Sequence, residues 1–281
     1  MSSSKSSMNS LIFNVAGGAV LLTVAGYMIM SYVTTPLVEP CSTRFPAGQK
    51  FTFTGANGKP LSAVELQGRA NTREWGLLRN AKVVPGTSGA AESTLEVALA
   101  STENEDQVNQ NGVGFTWHLP ELEKASAACL SYSAYLPKSF KFKESGYLPG
   151  LFGARDIAQI DLLKPDEGFA VRMGWAESGD LGVDVRVPSA GGHFEGPNRK
   201  TLWQTGRWTK IEQELRLNTP GKADGVMRVW IDGGLTINRQ GLSFRVIPES
   251  RLTGVVADIG YARTLSDLAA LRVSPFLVQA Q

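Results

Sequence analysis

The chain has 281 residues, a formal net charge of +2 at pH 7 and 19% charged residues. Such a balance, without a long run of like charges, excludes a nucleic-acid-binding protein and a charged interaction tail. The two cysteines are far apart in sequence, so their spacing fits no zinc site, and two histidines are too few for a multi-histidine centre; we therefore expect no metal.

The N-terminal segment is predicted to be a membrane anchor. Residues 1–10 are rich in serine and are predicted to form a disordered tail, whereas residues 11–33 carry no charge. About 20 apolar residues are enough for a helix to cross a bilayer. We predict a transmembrane signal-anchor helix over 11–33, because the apolar run continues beyond Ala25. A signal peptide cleaved after Ala25 and a buried soluble helix are the alternatives.

The remainder reads as a spacer and one large domain. Residues 34–40 contain two prolines and are predicted to form an extended linker, and residues 41–281 are predicted to form the domain. Cys41 and Cys129 are the cysteines of the chain. In an oxidising compartment they would form a disulfide, and the alternative is two buried thiols.

Strict alternation of apolar and polar residues predicts β-strands in the domain. Phe169–Trp175, Leu181–Val187 and Val226–Asp232 each place apolar side chains on one face. Asp232 and the two glycines after it predict a hairpin turn. Many strands with few helices indicate an all-β fold, a two-sheet antiparallel sandwich of the jelly-roll type.

Helical patterns and familiar catalytic motifs are scarce. Glu121–Ala127 and Leu265–Leu271 are the candidate short helices. The sequence has no phosphate-binding loop, no dinucleotide fingerprint and no nucleophile elbow, so we expect no cofactor.

Three stretches of the domain carry a resemblance to a known family. They are residues 130–155, 203–217 and 218–245. The matching pieces are Ser145-Gly146-Tyr147-Leu148-Pro149-Gly150-Leu151, Gly206-Arg207-Trp208, Asn218 through Gly225, and Trp230-Ile231-Asp232-Gly233. In this order they resemble polysaccharide lyase family 14 and its concanavalin-A-like relatives. The resemblance implies two antiparallel sheets with a concave face that holds a sugar chain.

The resemblance also implies β-elimination at a uronate residue. That reaction needs a cation that neutralises the sugar carboxylate, a base that removes the C5 proton and an acid for the leaving oxygen. The family supplies a lysine in the Leu-Pro-Gly-Leu turn, a Ser-x-Arg and a Tyr-x-Tyr. This chain instead has Tyr147, Ala170-Val171-Arg172, and Asp184 with Arg186 at those positions.

Candidate site residues follow from the resemblance and from strand alternation. The catalytic candidates are Tyr147, Arg172 and His193. The substrate-binding candidates are Arg172, Asp184, Arg186, Trp230, Lys141 and Lys143. Each also has a plain structural interpretation: an ion pair between Arg172 and Asp184, an ordinary loop histidine, a tryptophan buried in the sandwich, or solvated lysines on a strand face.

The departures from the family pattern favour binding without cleavage. We therefore expect a domain that recognises an acidic polysaccharide outside the cytoplasmic (inner) membrane, held there by a single-pass anchor. The first alternative is an active lyase that uses Tyr147, Arg172 and His193. The second is a structural or assembly protein of the cell envelope that binds another protein.

Overall fold

The computed structural model describes residues 38–70, 74–86, 92–99, 112–154, 168–187, 191–197, 199–263 and 269–281. The predicted tail and anchor, and most of the predicted linker, lie outside these residues. Within them, no helix has the length and apolarity that a bilayer crossing requires. Glu39–Gln281 form one compact unit.

The described residues form two antiparallel sheets around a shared core, which confirms the predicted all-β sandwich. The nine-stranded sheet contains β1 (Gln49–Phe51), β3 (Ala81–Val84), β4 (Thr94–Ala98), β6 (Ala127–Leu136), β11 (Arg207–Arg216), β12 (Gly225–Ile231), β13 (Gly234–Leu242), β16 (Ala270–Val273) and β17 (Phe276–Ala280). The eight-stranded sheet contains β2 (Glu74–Trp75), β5 (Gly114–His118), β7 (Gly146–Ala154), β8 (Gly168–Trp175), β9 (Leu181–Val187), β10 (Gly191–Glu195), β14 (Arg251–Val256) and β15 (Gly260–Tyr261).

Helices are short in the described part of the chain. They are α1 (Cys41–Arg44), α2 (Ala63–Arg69), α3 (Leu77–Asn80) and a 3₁₀ helix at Pro120–Lys124. The helix predicted over Glu121–Ala127 is therefore a 3₁₀ turn that ends before β6. The helix predicted over Leu265–Leu271 is wrong in its described part, because Leu271 pairs with Val97 in a β-ladder. Sheet pairing there overrides a weak helical pattern.

The three strands predicted from alternation are confirmed as β8, β9 and β12. The apolar side chains of β8, which include Phe169 and Trp175, are fully buried in the core. Asp232 (φ 51°) and Gly233 (φ 83°) form the predicted turn between β12 and β13, and positive φ at both positions is typical of a tight hairpin.

The order of strands fixes which polar residues meet. The eight-stranded sheet runs β10-β9-β8-β7-β14-β5-β2, so β8 lies between β9 and β7. Arg172 on β8 is paired with Asp184 on β9, and Ala170 is paired with Arg186. These positions alternate with core residues, so their side chains lie on the face away from the core, which we call the outer face.

The N-terminal end of the described domain is fixed to the other sheet. A disulfide joins Cys41 in α1 to Cys129 in β6. The backbone N–H of Ser42 donates to Oε2 of Glu212 at 3.0 Å, and Arg44 forms an ion pair with Glu214. Helix α1 therefore covers part of the outer face of the nine-stranded sheet.

The buried Glu214 makes this attachment sensitive to acid. Burial alone would raise the pKa of Glu214, but Arg216, Arg44 and Arg228 outweigh it and hold the pKa below the ordinary 4.5. A carboxyl with a depressed folded-state pKa contributes stability above its unfolded pKa and loses it as the pH falls through the folded value. We expect the free energy of unfolding to decrease as the pH falls below about 4.5.

Urea unfolding followed by tryptophan fluorescence over a pH series measures this effect. Glu214→Gln is expected to be less stable at neutral pH and to show a weaker loss of stability on acidification. Glu249→Gln, at an exposed position, is the matched control and should follow the unsubstituted protein. An identical pH dependence in Glu214→Gln and the unsubstituted protein would contradict the assignment.

Candidate functional site

A β-bulge in β7 brings Tyr147 to the outer face of the eight-stranded sheet. Tyr147 is paired with Gly174 and Gly150 is paired with Arg172, so three steps along β7 oppose two steps along β8. The extra residue in β7 places Tyr147 and Gly150 on the same face. The Leu-Pro-Gly-Leu segment, which the family resemblance describes as a turn, is here the bulged part of a strand.

Two polar side chains from the nine-stranded sheet reach through the core to this bulge. Gln213 accepts a hydrogen bond from the backbone N–H of Leu151 at 2.8 Å and donates to the carbonyl oxygen of Val171 at 3.0 Å. The Tyr132 hydroxyl donates to the carbonyl oxygen of Pro149 at 2.8 Å. Burial raises the pKa of Tyr132 well above its ordinary value, so the hydroxyl keeps its proton. The opposite sheet thus holds the backbone that positions Tyr147.

The guanidinium group of Arg172 is the centre of a network on the outer face. It donates to Oδ2 of Asp184 at 2.6 and 3.2 Å and to Oδ2 of Asp258 at 2.7 Å. Nε of Arg186 lies 3.3 Å from the same oxygen of Asp184. Cζ of Arg172 lies 4.1 Å from the centroid of the Tyr147 ring, which is a cation–π contact. Arg172 is only 7% exposed.

Opposite charges are paired inside the network. Burial alone would lower the pKa of Arg172, but the carboxylates of Asp258 and Asp184 outweigh it and raise the pKa. Among the described residues, the ion pairs join the carboxylates of Asp184 and Asp258 to the guanidinium group of Arg172, and Asp184 also to Arg186. The positive charge of Arg172 is therefore paired with carboxylates of the protein itself. The ion pair between Arg172 and Asp184, which was one interpretation of the sequence, is formed.

An open pocket with a volume of about 490 Å³ lies beside the network. The side chains that line it include Ser145, Tyr147, Glu177, Ser178, Asp184 and Phe194. Phe194 on β10 is 43% exposed, and its ring packs against Gly182, where a Cβ would collide with it. The pocket therefore combines an exposed aromatic ring with carboxylate and hydroxyl groups.

Four of the residues predicted from the sequence lie together in the network beside the pocket: Tyr147, Arg172, Asp184 and Arg186. His193 does not line the pocket. It is paired with Val185 on β9 and alternates with Phe194 along β10, so the two side chains leave the sheet on opposite sides. Its Nε2 atom lies 3.6 Å from Oε1 of Glu195.

The other candidates lie elsewhere. Lys141 and Lys143 are exposed in the loop before β7 and not on a strand face, because the chain makes a turn there, in which the N–H of Lys143 donates to the carbonyl of Lys141. Trp230 is fully buried in the nine-stranded sheet, with the guanidinium carbon of Arg44 5.7 Å from its ring. Helix α1 thus occupies the position where a sugar would have to stack on Trp230.

The site residues that were not predicted include Asp258, Glu177, Ser178 and Phe194. Asp258 follows β14, and the pairing of β14 with β7 brings it to Arg172, 86 positions away in sequence. Glu177 and Phe194 reach the pocket from the loop after β8 and from the edge strand. One feature of the sequence could have indicated Phe194: it lies next to the candidate His193, in the stretch that follows β9.

Potential metal ligands form one cluster among the described residues, Cys41, Cys129 and Glu212. Both sulfur atoms of that cluster are joined to each other in the disulfide, so neither thiolate is present to ligate an ion. The cluster also lies on the nine-stranded sheet, the sheet that does not carry the pocket.

Solved structures with a similar architecture include several alginate lyases. A marine PL-14 alginate lyase from Aplysia kurodai has a TM-score of 0.70 and 17% identity, with 84% of this chain and 100% of that chain covered. An alginate lyase from Chlorella virus has a TM-score of 0.62 and 16% identity, with 78% and 96% covered. A mutant of the alginate lyase Aly36B, in complex with alginate tetrasaccharide, has a TM-score of 0.62 and 12% identity, with 84% and 98% covered.

At these identities the structural likeness shows the fold alone. No curated protein matches the chain significantly. The model of the family described as Polysaccharide lyase 14 matches residues 87–262, which is more than half of the chain and contains the bulge, the Arg172 network and the pocket. The chain therefore belongs to the polysaccharide lyase 14 family.

Proposed function

We propose that this protein binds an acidic polysaccharide on the outer face of its eight-stranded sheet and does not cleave it. The network around Arg172 carries this proposal. β-Elimination requires a positive charge that compensates the uronate carboxylate. Arg172 compensates Asp184 and Asp258 instead, and a tyrosine hydroxyl at position 147 brings no positive charge to the site.

Aromatic side chains support a sugar ligand. Phe194 and Tyr147 both line the pocket. On the other side of the Arg172 network the indole of Trp75 packs over Gly114, where a Cβ would collide with the indole and lie 2.8 Å from Oδ1 of Asp258. Aromatic rings pack against the apolar C–H faces of sugars. A small number of polar groups is then enough to fix the orientation of the bound sugar.

Exposed cations near the pocket support an acidic ligand. Arg186 extends along the outer face beside Gly192 with 46% of its side chain exposed. Lys141 and Lys143 are exposed in the loop that leads to Ser145 at the pocket. Such cations are suited to carboxylates because they lose little hydration on contact. The alginate lyase Aly36B, which has a similar fold, is seen in complex with alginate oligosaccharides, which agrees with an acidic glycan.

Membrane anchoring is the second part of the proposal. Residues 11–33 would act as an uncleaved anchor, with the domain outside the cytoplasmic membrane. The disulfide between Cys41 and Cys129 supports an oxidising compartment. Protease added to spheroplasts of an expressing bacterium should digest the domain and spare a tag placed on residues 1–10. Release of a soluble protein that begins after Ala25 would contradict the anchor.

Binding and cleavage can be measured on the same samples. We expect the full chain, purified in detergent, to bind at least one uronate-containing polymer in a panel by isothermal titration calorimetry. Arg186→Ala should weaken that binding about tenfold, because it removes an exposed cation at the site. Arg207→Ala is the matched control, since Arg207 is 48% exposed and pairs with Asp232 on the other sheet.

The ultraviolet absorbance of unsaturated uronates reports cleavage. We expect no rise in absorbance with any polymer of the panel. A rise that disappears in Tyr147→Phe would overturn the non-catalytic part of the proposal and establish an active lyase. The absence of binding to every polysaccharide would overturn carbohydrate recognition altogether.

A further inference from the structure

The pocket beside Tyr147 carries negative charge where a bound uronate would need positive charge. Among the described residues that line it, the charged side chains are Glu177 and Asp184, and both are acidic. The nearby guanidinium group of Arg172 is compensated by Asp184 and Asp258. Asp184 is paired with Arg172 and Arg186, whereas Glu177 has no ion pair among the described residues. A uronate carboxylate inside this pocket would therefore meet the like charge of Glu177, which disfavours it.

The same groups suit an uncharged sugar ring. The hydrogen bonds from Arg172 and Arg186 all go to Oδ2 of Asp184, so Oδ1 is left to accept a hydrogen bond from a hydroxyl group. Glu177 is exposed and offers further acceptors. Phe194 and Tyr147 supply apolar surface against which the C–H face of a hexose can pack.

The exposed cations lie outside the pocket. Arg186, Lys141 and Lys143 are not part of its lining, and Arg263 close to Glu144 is 81% exposed. We infer that the ligand is a heteropolysaccharide in which an uncharged hexose occupies the pocket while neighbouring uronates contact these cations. This inference rests on the proposed function and specifies the chemical class of the polysaccharide ligand.

Oligosaccharides of equal length separate the two classes of glycan. The full chain is titrated with an alternating uronate–N-acetylhexosamine oligomer and with a homopolymeric uronate oligomer. The alternating oligomer is expected to bind at least about tenfold more tightly. Phe194→Ala, which removes an exposed ring, should weaken its binding about tenfold, and unchanged affinity would overturn the assignment of the pocket.

A charge-removing variant tests the electrostatic step without touching the Arg172 network. Glu177→Gln removes the charge and keeps one acceptor oxygen, so it should strengthen binding of the homopolymeric uronate about threefold to tenfold and thereby reduce the preference for the alternating oligomer. Glu249→Gln, exposed in the loop before β14, is the control and should change neither affinity.

The failure of this inference is distinct from the failure of the proposed function. Equal or tighter binding of the homopolymeric uronate, unchanged by Glu177→Gln, overturns the inference and leaves acidic-polysaccharide binding intact. No binding of either oligomer, or of any uronate-containing polymer, overturns the proposed function itself.

Discussion

Replacement of Arg172 by methionine is expected to lower the free energy of unfolding by about 3–5 kcal/mol, because removal of one member of a buried ion network leaves uncompensated charge. Asp258 and Asp184 are both nearly buried, and both are paired with this one guanidinium group. Methionine retains most of the aliphatic stem, so the loss reports the charge and its hydrogen bonds more than the packing. Urea unfolding of the full chain in detergent at neutral pH measures it.

A second substitution separates charge imbalance from lost packing. Asp258→Asn in the Arg172→Met background should recover about 1–3 kcal/mol, because it removes one of the two carboxylates that lose Arg172 as a partner, while Asp184 keeps Arg186. Arg207→Met, which removes a half-exposed arginine paired with Asp232, should cost no more than about 1 kcal/mol. A loss of similar size in Arg172→Met and Arg207→Met would show that the network is not a stabilising element.

Local sequence patterns are sufficient to predict the strands and half of the site. In β8 and β9 the alternation of side chains is uninterrupted, and a short connection makes the two strands antiparallel neighbours. The strand period alone therefore assigns Arg172, Asp184 and Arg186 to one face. Tyr147 is assigned through the family resemblance, and its actual position depends on a bulge that alternation does not reveal.

Long-range contacts account for what the sequence did not reveal. The alternation in β12 correctly placed Trp230 on the side away from the core, but α1 folds back over that side and buries it. Asp258 reaches Arg172 only because β14 pairs with β7. Both outcomes depend on which distant segments of the chain come into contact. The alternation within a single strand does not determine those contacts, because they depend on the whole sequence.

Gln213 is expected to be the residue on which the geometry of the site most depends after Arg172. Its side chain crosses the core to the N–H of Leu151 and the carbonyl of Val171, two backbone groups at the bulge. Leucine is close in size and can make neither hydrogen bond. An unsatisfied buried backbone group costs about 1–3 kcal/mol, so Gln213→Leu should lower the free energy of unfolding by about 2–5 kcal/mol.

Two further measurements tie that loss to the bulge. The amide of Leu151 should exchange with solvent faster in Gln213→Leu, and glycan affinity should fall because Tyr147 depends on the same bulge for its position. Gln240→Leu is the matched control: it lies exposed on β13, and its effect on stability should stay within about 0.5 kcal/mol. If Gln213→Leu destabilises the fold but leaves amide exchange at Leu151 and glycan binding unchanged, then the bulge is held by the strand pairing of β7 alone, and Gln213 acts only as a core residue.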